Sequence, residues 1–212
     1  MQLYFSPLAC SLATRIALYE AGAEATYTEV DSKTKRTRDG ADFLQVNPIG
    51  LVPALRTDDG EVITEGAAIL QYVADAFPRA ALAPAGGMDR TRLHQWLCFI
   101  GTELHKGLFI PLFDKVAPEG TAAHSLEKGK SRLAYLDRYL TGREYLLDRF
   151  SVADAYLYTV LNWTMATGID LAPWPAVQAY HKRLQKRPSV AKAFAEELAL
   201  YKEEQARNAK AA

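Results

Sequence analysis

The sequence has few of the features that would place a protein outside a reducing compartment or in a membrane. Only two of its 212 residues are cysteines, Cys10 and Cys98, and their wide separation excludes the framework of a disulfide-stapled secreted fold. The longest uncharged stretch of the apolar second half, residues 155–169, is shorter than the roughly 20 apolar residues that span a bilayer. A basic segment followed by a long apolar run is missing from the N-terminus. We therefore expect a cytoplasmic protein.

The chain also has a formal net charge of zero. The 25 Lys and Arg residues balance 25 Asp and Glu residues, so no whole-molecule field draws the protein towards nucleic acid or an anionic membrane. Hydrophobic residues make up 49% of the chain and charged residues 24%, which is the ordinary balance of a globular protein with an apolar core. We expect neither nucleic acid nor membrane as a partner.

The pattern of the chain changes after about residue 80. Up to that point short apolar runs alternate with helical patterns, whereas beyond Asp89 almost every segment has helical spacing. The segment between these regions contains Pro84 and a pair of glycines, which are typical of a linker. We predict a first domain at residues 1–80, a linker at 81–88 and a second domain at 89–212.

The first domain alternates strand and helix signals in the order βαβαββα, which is a thioredoxin-like arrangement. The Asp-Gly pair at residues 59–60 indicates a hairpin, and Gly22 suits the left-handed end of a helix. The predicted strands are residues 2–5, 26–30, 54–56 and 62–64, and the predicted helices are residues 10–21, a short one near 42, and 65–77.

The second domain is predicted to be entirely helical. Its first helix, residues 89–113, carries a leucine and isoleucine stripe at steps of three and four residues. A second helix presents the leucines of residues 126–140. A third helix begins at a capping box formed by Ser151 and Asp154. Because apolar residues cover nearly all faces of this helix, it should be the buried centre of the second domain. Further helices are predicted near residues 177–186 and 190–202.

Cys10 lies at the predicted start of the first helix, where unpaired N–H groups and the helix dipole favour a thiolate. The alternative is a small buried hydrophobic side chain. Since no second cysteine follows at Cys-x-x-Cys spacing, a dithiol cycle within this loop is disfavoured.

Two further motifs in the first domain could bind a ligand through the main chain. Pro53 lies between a turn and a strand, where it either is an ordinary turn proline or leaves the Val52 main chain to pair with an extended peptide. Glu65 and Gly66 open a helix directly after a strand. They either complement their own helix terminus or bind the ammonium and carboxylate of an amino acid. Lys35, in a basic loop, is a solvated charge or a partner for a ligand carboxylate.

The first helix of the second domain carries a polar stripe beside its apolar one. Cys98, Thr102 and His105 recur at steps of four and three residues. A metal site with His94 is excluded, because eleven residues of helix separate the two histidines by roughly 16 Å. His105 is therefore either solvated or a donor to a ligand.

The order and spacing of these motifs resemble those of a bacterial beta-class cytosolic glutathione transferase over essentially the whole chain. The resemblance rests on five segments: Ser-Pro-x-x-Cys-Ser at residues 6–11, Asn-Pro-x-Gly-x-Val-Pro-Ala-Leu at 47–55, Thr-Glu-Gly-Ala-Ala-Ile-Leu-Gln-Tyr at 64–72, Thr-Glu-Leu-His-Lys at 102–106, and the capping box at 151–154.

The resemblance implies a homodimeric enzyme that conjugates the thiolate of glutathione, its co-substrate, to small hydrophobic electrophiles, with no metal. Cys10 and His105 would flank the sulfur as catalytic residues, and the Ser11 hydroxyl could donate to it. The cysteinyl main chain would pair with Val52 before Pro53, Glu65 and Gly66 would hold the γ-glutamyl end, and Lys35 the glycyl end. Thr102, Glu103 and Leu104 would line the helix edge, and Glu103 could serve the neighbouring subunit. The electrophile would lie on a surface of the helical domain.

Two alternatives remain open at this point. In one, a mixed disulfide between Cys10 and glutathione supports reduction of disulfides or peroxides. In the other, the fold is a non-catalytic ligand carrier. A mechanism based on tyrosine is disfavoured, because Phe5 and Ser6, and no tyrosine, follow Tyr4 at the end of the first strand.

Overall fold

The structure is a computed structural model that describes residues 1–211. It separates the chain into two compact units. The first unit combines Met1–Leu82 with the last part of the chain from Arg187 onward, and the second is Ala83–Lys186. Within the described residues, no helix is both long and apolar enough to cross a membrane.

The first unit is built on a four-stranded mixed sheet. Strand β1 pairs with β2 in parallel and with β3 in antiparallel orientation, and β4 pairs with β3 at the edge. Leu3 stands at the centre of this register, opposite Tyr27 on one side and Leu55 on the other. The strands are β1 (Gln2–Phe5), β2 (Thr26–Glu29), β3 (Ala54–Arg56) and β4 (Val62–Ile63).

Helices α1 (Leu12–Ala21) and α2 (Gly66–Ala76) complete the predicted order, and the thioredoxin-like fold is confirmed. Helix α1 ends at Gly22, whose φ of +63° gives the left-handed conformation that glycine adopts without a steric penalty. The short helix predicted near residue 42 is a single 3₁₀ turn, Phe43–Gln45, with the Asp42 carboxylate accepting from the Leu44 N–H at 3.0 Å.

The second unit is entirely helical, as predicted. Its elements are α3 (Gly87–Phe99), a π-helical segment (Ile100–Phe109), α4 (Ile110–Phe113), α5 (Thr121–Leu140), α6 (Val152–Asn162), α7 (Thr164–Thr167) and α8 (Pro175–Gln185). Every residue of α6 is buried, so this helix is the centre that its apolar sequence predicted.

The capping box at the start of α6 is also present. The Asp154 carboxylate accepts hydrogen bonds from the Ser151 N–H at 2.9 Å and from the Tyr180 hydroxyl at 2.8 Å. It also accepts from the Leu146 N–H at 2.9 Å. Asp154 therefore fixes where α6 begins and connects this point to α8 and to the preceding loop.

The single helix predicted over residues 89–113 contains a π-helical middle. The Ile110 N–H donates to the carbonyl of His105, five residues earlier. Gly107 accommodates the wider turn, because a Cβ at this position would lie only 2.8 Å from the Thr102 carbonyl oxygen. The apolar stripe is compatible with both an α-helix and a π-helix, and Gly107 marks where the helix takes the wider π-helical turn.

The last helix, α9 (Pro188–Ala211), packs with the first unit, whereas the expected second domain extended over residues 89–212. Its buried residues Val190, Ala193 and Glu197 lie at steps of three and four on one face, and α9 contacts α1. The boundary between the two units is therefore set by which helices pack together and not by their order along the chain.

Candidate functional site

The loop between β1 and α1 brings two predicted residues together. The Cys10 thiol donates to the carbonyl oxygen of Val52, with 3.2 Å between Sγ and oxygen. Cys10 is partly exposed, and it precedes the first residue of α1 by two positions. The thiol is thus directed at the strand-like segment that was expected to pair with a peptide.

Ser11 lies beneath this loop and has no exposed surface. Its hydroxyl donates to the Ser6 carbonyl at 3.2 Å and accepts from the Ser6 N–H at 3.3 Å. Both functions of the hydroxyl are therefore engaged in closing the loop. This geometry differs from the expectation that the hydroxyl donates to a ligand sulfur.

Val52 and Pro53 are joined by a cis peptide bond, and Pro53 is buried. The start of α2 lies against this proline, because a Cβ on Gly66 would be 3.7 Å from Pro53 Cγ. The Val52 main chain and the N-terminus of α2 are therefore neighbours at one edge of the first unit. A helix N-terminus at this place offers N–H groups and a positive dipole to an anion.

Glu65 precedes α2 in a backbone conformation that side chains rarely adopt, with φ +64° and ψ 111°. Its side chain is exposed and makes no capping hydrogen bond to the helix. Backbone strain of this kind costs about 1–3 kcal/mol and concentrates at functional sites. Glu65 therefore presents its carboxylate outwards, and self-capping of α2 does not explain it.

Lys35 also has a left-handed backbone, with φ +56°. Its aliphatic stem lies over Gly50, where a Cβ would be 3.1 Å from Lys35 Cδ. Glycine at residue 50 therefore lets the lysine lie against the loop that leads to Val52, which places a cation on the same side of the unit.

In the second unit, His105 is 6% exposed within the π-helical segment. Its Nδ1 lies 2.7 Å from the hydroxyl oxygen of Tyr156, and its ring meets the Trp163 ring edge-on at 4.9 Å. Burial, and secondarily the charge of Lys106, lower the pKa of His105 to about 4. His105 is therefore a neutral, oriented imidazole at physiological pH, and the solvated alternative is excluded.

The neighbours of His105 on the helix have different surroundings. Thr102 is exposed, and its hydroxyl donates to the Cys98 carbonyl at 3.0 Å. Glu103 accepts from the Arg132 guanidinium at 2.9 Å. Leu104 has no exposed surface, so its side chain supports the helix from the core and does not line an open edge as expected.

Comparison with known proteins identifies the group to which this arrangement belongs. A model of the glutathione S-transferase N-terminal domain matches residues 1–75, and a model of the glutathione S-transferase C-terminal domain matches residues 95–188. The chain belongs to the glutathione S-transferase family.

Individual relatives agree with this assignment. Glutathione S-transferase GstA of Escherichia coli O157:H7 is 43% identical over 202 residues, which cover 93% of this chain and 98% of GstA. A sphingomonad glutathione S-transferase complexed with glutathione superposes with a TM-score of 0.89 and 48% identity, covering 93% and 98% of the two chains. A bacterial beta-class transferase from Sphingomonas chungbukensis gives 0.89 and 45%, with the same coverage. The beta-class resemblance is confirmed, and the names of these relatives do not favour the reductase or ligand-carrier alternatives.

Sequence reasoning missed the residue that supports the Cys10 loop of the transferase. Glu197 of α9 is fully buried, and it accepts from the Leu8 N–H at 2.7 Å. Its other oxygen lies 3.2 Å from Arg15 Nε. Burial raises the pKa of Glu197 to about 8, and the charge of Arg15 and the hydrogen bond from the Leu8 amide oppose this shift. The only sequence signal is an acidic residue on the apolar face of α9.

Tyr156 was also missed as a functional residue. The sequence places it in an apolar helix, where a tyrosine is ordinarily a core residue, and its proximity to His105 follows from helix packing across 51 residues of chain. Among the described residues, no cluster of three or more His, Cys, Asp or Glu side chains could hold a metal ion.

Proposed function

We propose that this transferase conjugates the thiolate of glutathione to small hydrophobic electrophiles, a detoxification reaction. The observation that carries the proposal is the edge of the first unit, where the Cys10 thiol contacts the Val52 carbonyl and Pro53 lies beside the start of α2. The sphingomonad relative is complexed with glutathione, which supports the same ligand here.

In the proposed complex, each part of the tripeptide meets a matching group. The cysteinyl main chain pairs with the Val52 N–H and C=O as a short added strand, next to Pro53. The γ-glutamyl ammonium binds the exposed Glu65 carboxylate, and its carboxylate binds the Gly66 N–H at the start of α2. Lys35 binds the glycyl carboxylate. Because the ammonium at one end of the ligand and the carboxylate at the other each meet a group of opposite charge, the ligand can bind in one direction only.

We propose that His105 and Cys10 act on the glutathione sulfur, and that Ser11 shapes the Cys10 loop from below. With the Tyr156 hydroxyl donating to Nδ1 of the neutral imidazole, Nε2 carries the ring hydrogen and donates to the thiolate. A thiol with an ordinary pKa of about 8.5 is mostly protonated at pH 7, and each unit of lowering corresponds to about 1.4 kcal/mol. Hydrogen bonds to the thiolate supply this stabilisation.

Residues 89–212 would provide the electrophile-binding surface. Phe113 and Met165 are exposed, and the Phe113 ring meets Trp163 at 5.7 Å. These side chains suit a small apolar molecule. Thr102, with Leu104 beneath it, would form the helix edge near His105.

We further propose a cytoplasmic homodimer. The first unit exposes Leu44, Ile49 and Leu51 in one loop, and the second unit has a groove containing the Trp96 and Tyr135 rings. Apolar patches of this kind are typical of interfaces. Glu103, paired with Arg132 at this groove, would serve the site of the neighbouring subunit. A monomer by light scattering at micromolar concentration would contradict the dimer.

The binding half of the proposal is tested by calorimetry with glutathione in reducing buffer. Wild type should bind saturably, and Glu65→Gln should bind at least tenfold more weakly, because a hydrogen bond to a charged group contributes about 1.5–3 kcal/mol. Glu61→Gln removes another exposed carboxylate, at the residue before β4, and is the matched control that should bind as wild type does. No saturable heat with wild type would refute the function.

The catalytic half is tested by aryl-halide conjugation and disulfide reduction, measured on wild type, Cys10→Ala and His105→Ala. We expect conjugation to fall in His105→Ala with little change in glutathione affinity. Conjugation unchanged in both variants would refute the assigned roles. Disulfide reduction that exceeds conjugation and disappears in Cys10→Ala would instead identify a reductase.

A further inference from the structure

We infer that Glu203 and Arg207 of α9 are positioning residues for Lys35, and that they set the affinity of the transferase for the glycyl carboxylate of glutathione. The inference rests on the proposed function in one respect, which is that Lys35 binds this carboxylate. All the residues involved lie in the first unit.

Four side chains of alternating charge form a closed ring at the base of the Lys35 loop. Arg38 lies 3.4 Å from Glu29 and 3.2 Å from Glu203. Arg207 contacts Glu29 on the other side and lies 3.8 Å from Glu203. Each acid therefore meets two guanidinium groups, and α9 is connected to both ends of the loop.

The ring lies where the loop leaves the sheet and returns. Glu29 is the last residue of β2, and the Arg38 N–H donates to its carbonyl at 3.1 Å. One step further into the loop, Val30 and Thr37 form an antiparallel bridge. The loop that carries Lys35 is therefore anchored at a base whose side chains belong to the ring.

Within the loop, the left-handed backbone of Lys35 is held by two main-chain bonds. The Lys35 N–H donates to the Asp31 carbonyl at 3.0 Å, and the Lys35 carbonyl accepts from the Phe43 N–H at 2.9 Å. A non-glycine residue keeps this conformation only when its surroundings impose it. Loosening of the base would release Lys35 into the more favourable conformations of a solvated loop.

The ring is too exposed to be needed for folding but suited to ordering the loop. Arg38 and Glu203 are about half exposed, whereas the Glu29 side chain is only 10% exposed. Isolated exposed ion pairs contribute little to stability, whereas networks around a buried member contribute more. The expected effect is therefore a change in ligand affinity of a few fold and not unfolding.

The direction in which Glu203→Gln changes the affinity for glutathione distinguishes a positioning role from direct charge attraction. Glu203→Gln removes a negative charge from the neighbourhood of the bound carboxylate, so the direct Coulomb effect alone would strengthen glutathione binding. Loss of loop order would weaken binding instead. For Arg207→Gln both effects weaken binding, so Glu203→Gln is the decisive variant.

The experiment compares glutathione with its glycyl monoethyl ester by calorimetry in reducing buffer. Because the ester lacks the carboxylate that Lys35 would bind, wild type should prefer glutathione. In Glu203→Gln and Arg207→Gln this preference should fall about threefold, through weaker binding of glutathione alone. Lys202→Gln removes an exposed charge next to Glu203 on the same helix and should keep the wild-type preference.

Three results would overturn the inference: tighter glutathione binding by Glu203→Gln, equal weakening of both ligands, or an unchanged preference in Glu203→Gln and Arg207→Gln while Lys35→Gln abolishes it. If Lys35→Gln itself leaves the preference unchanged, the role of Lys35 in the proposed function fails, and the inference fails with it. The two failures are thereby distinguished.

Discussion

The two units present their functional residues in opposite ways. In the first unit, Leu8, Lys35 and Glu65 all have φ near +60°, and the charged side chains of Lys35 and Glu65 reach solvent. In the second unit, His105 lies within a continuous helix with its ring buried against Tyr156. In the proposed site, the first unit would therefore bind glutathione through exposed charges on an unusual backbone, whereas the second unit would contribute one neutral ring that packing holds in place.

The largest expected effect concerns the buried carboxylate that supports the strained Leu8 backbone. Glu197→Ala removes the buried partner of Arg15, which then keeps only the more exposed Glu196, and it leaves the Leu8 N–H without its acceptor. The free energy of unfolding should therefore fall by about 3–5 kcal/mol. Urea titration of the full chain measures this change.

A neighbouring residue provides the control for this prediction. Glu196 also contacts Arg15, at 3.3 Å, but is 41% exposed. Glu196→Ala should cost less than about 1 kcal/mol. Equal losses in the two variants would contradict the view that burial of Glu197 supports the Cys10 loop.

The second effect is acid sensitivity of the second unit. The pKa values of His105 and His181 are each lowered to about 4 by burial, from an ordinary value of 6.5. The unfolded chain therefore binds protons at these two rings before the folded chain does, and their contribution to stability should be lost as the pH decreases from about 6.5 to 4. A shift of this size corresponds to about 3 kcal/mol at most for each ring.

One variant isolates the contribution of His181 to this acid sensitivity. The His181 ring stacks on Tyr158 at 5.1 Å, so His181→Phe keeps the ring contact and removes the titration. Its unfolding free energy should depend less on pH than that of wild type. Equal dependence on pH in His181→Phe and in wild type would refute the assignment to His181.

A tenfold effect is expected from the hydroxyl that orients His105. Tyr156→Phe removes this hydroxyl and should lower kcat/KM for conjugation about tenfold, the equivalent of one hydrogen bond of 1.4 kcal/mol. Glutathione affinity should change little. Tyr158→Phe is the matched control two residues away, because the buried Tyr158 hydroxyl has no hydrogen-bond partner among the described residues. Similar losses in the two variants would indicate a packing effect only.

The smallest expected effect is on stability, and it distinguishes the backbone strain at Glu65 from the charge of its side chain. Glu65→Gly relieves the φ of +64° and should raise stability by about 0.5 kcal/mol after the entropic cost of glycine, while Glu65→Ala, which keeps a Cβ, should give no gain. Both variants should bind glutathione equally weakly. Thermal unfolding and calorimetry measure the two quantities, and a stabilised Glu65→Ala would show that strain is not stored there.

The sequence was sufficient wherever a local rule determines the structure. The strands of the first unit, the left-handed Gly22 and the capping box at Ser151 and Asp154 were all predicted, because turn chemistry, glycine and side-chain caps act within a few residues. The position of Cys10 beside Val52 followed from the resemblance and not from any local pattern.

What could not be predicted depends on contacts between distant segments. The π-helical geometry around Gly107, the buried state of His105 and the hydroxyl of Tyr156 beside it all require helices to pack first. The engagement of the Ser11 hydroxyl with Ser6 likewise depends on how the loop closes. Sequence patterns predict which face of a helix is apolar, but they do not predict which polar group the fold places against it.

The return of α9 to the first unit has a consequence for how the chain is made. A ribosome synthesises residues 83–186 before it reaches α9, so the helical unit has its full set of helices while the unit that begins with Met1 still lacks Glu197. The part of the protein that emerges first is therefore the last to become complete, and a nascent chain halted near residue 186 would carry a finished helical unit beside an unfinished sheet unit.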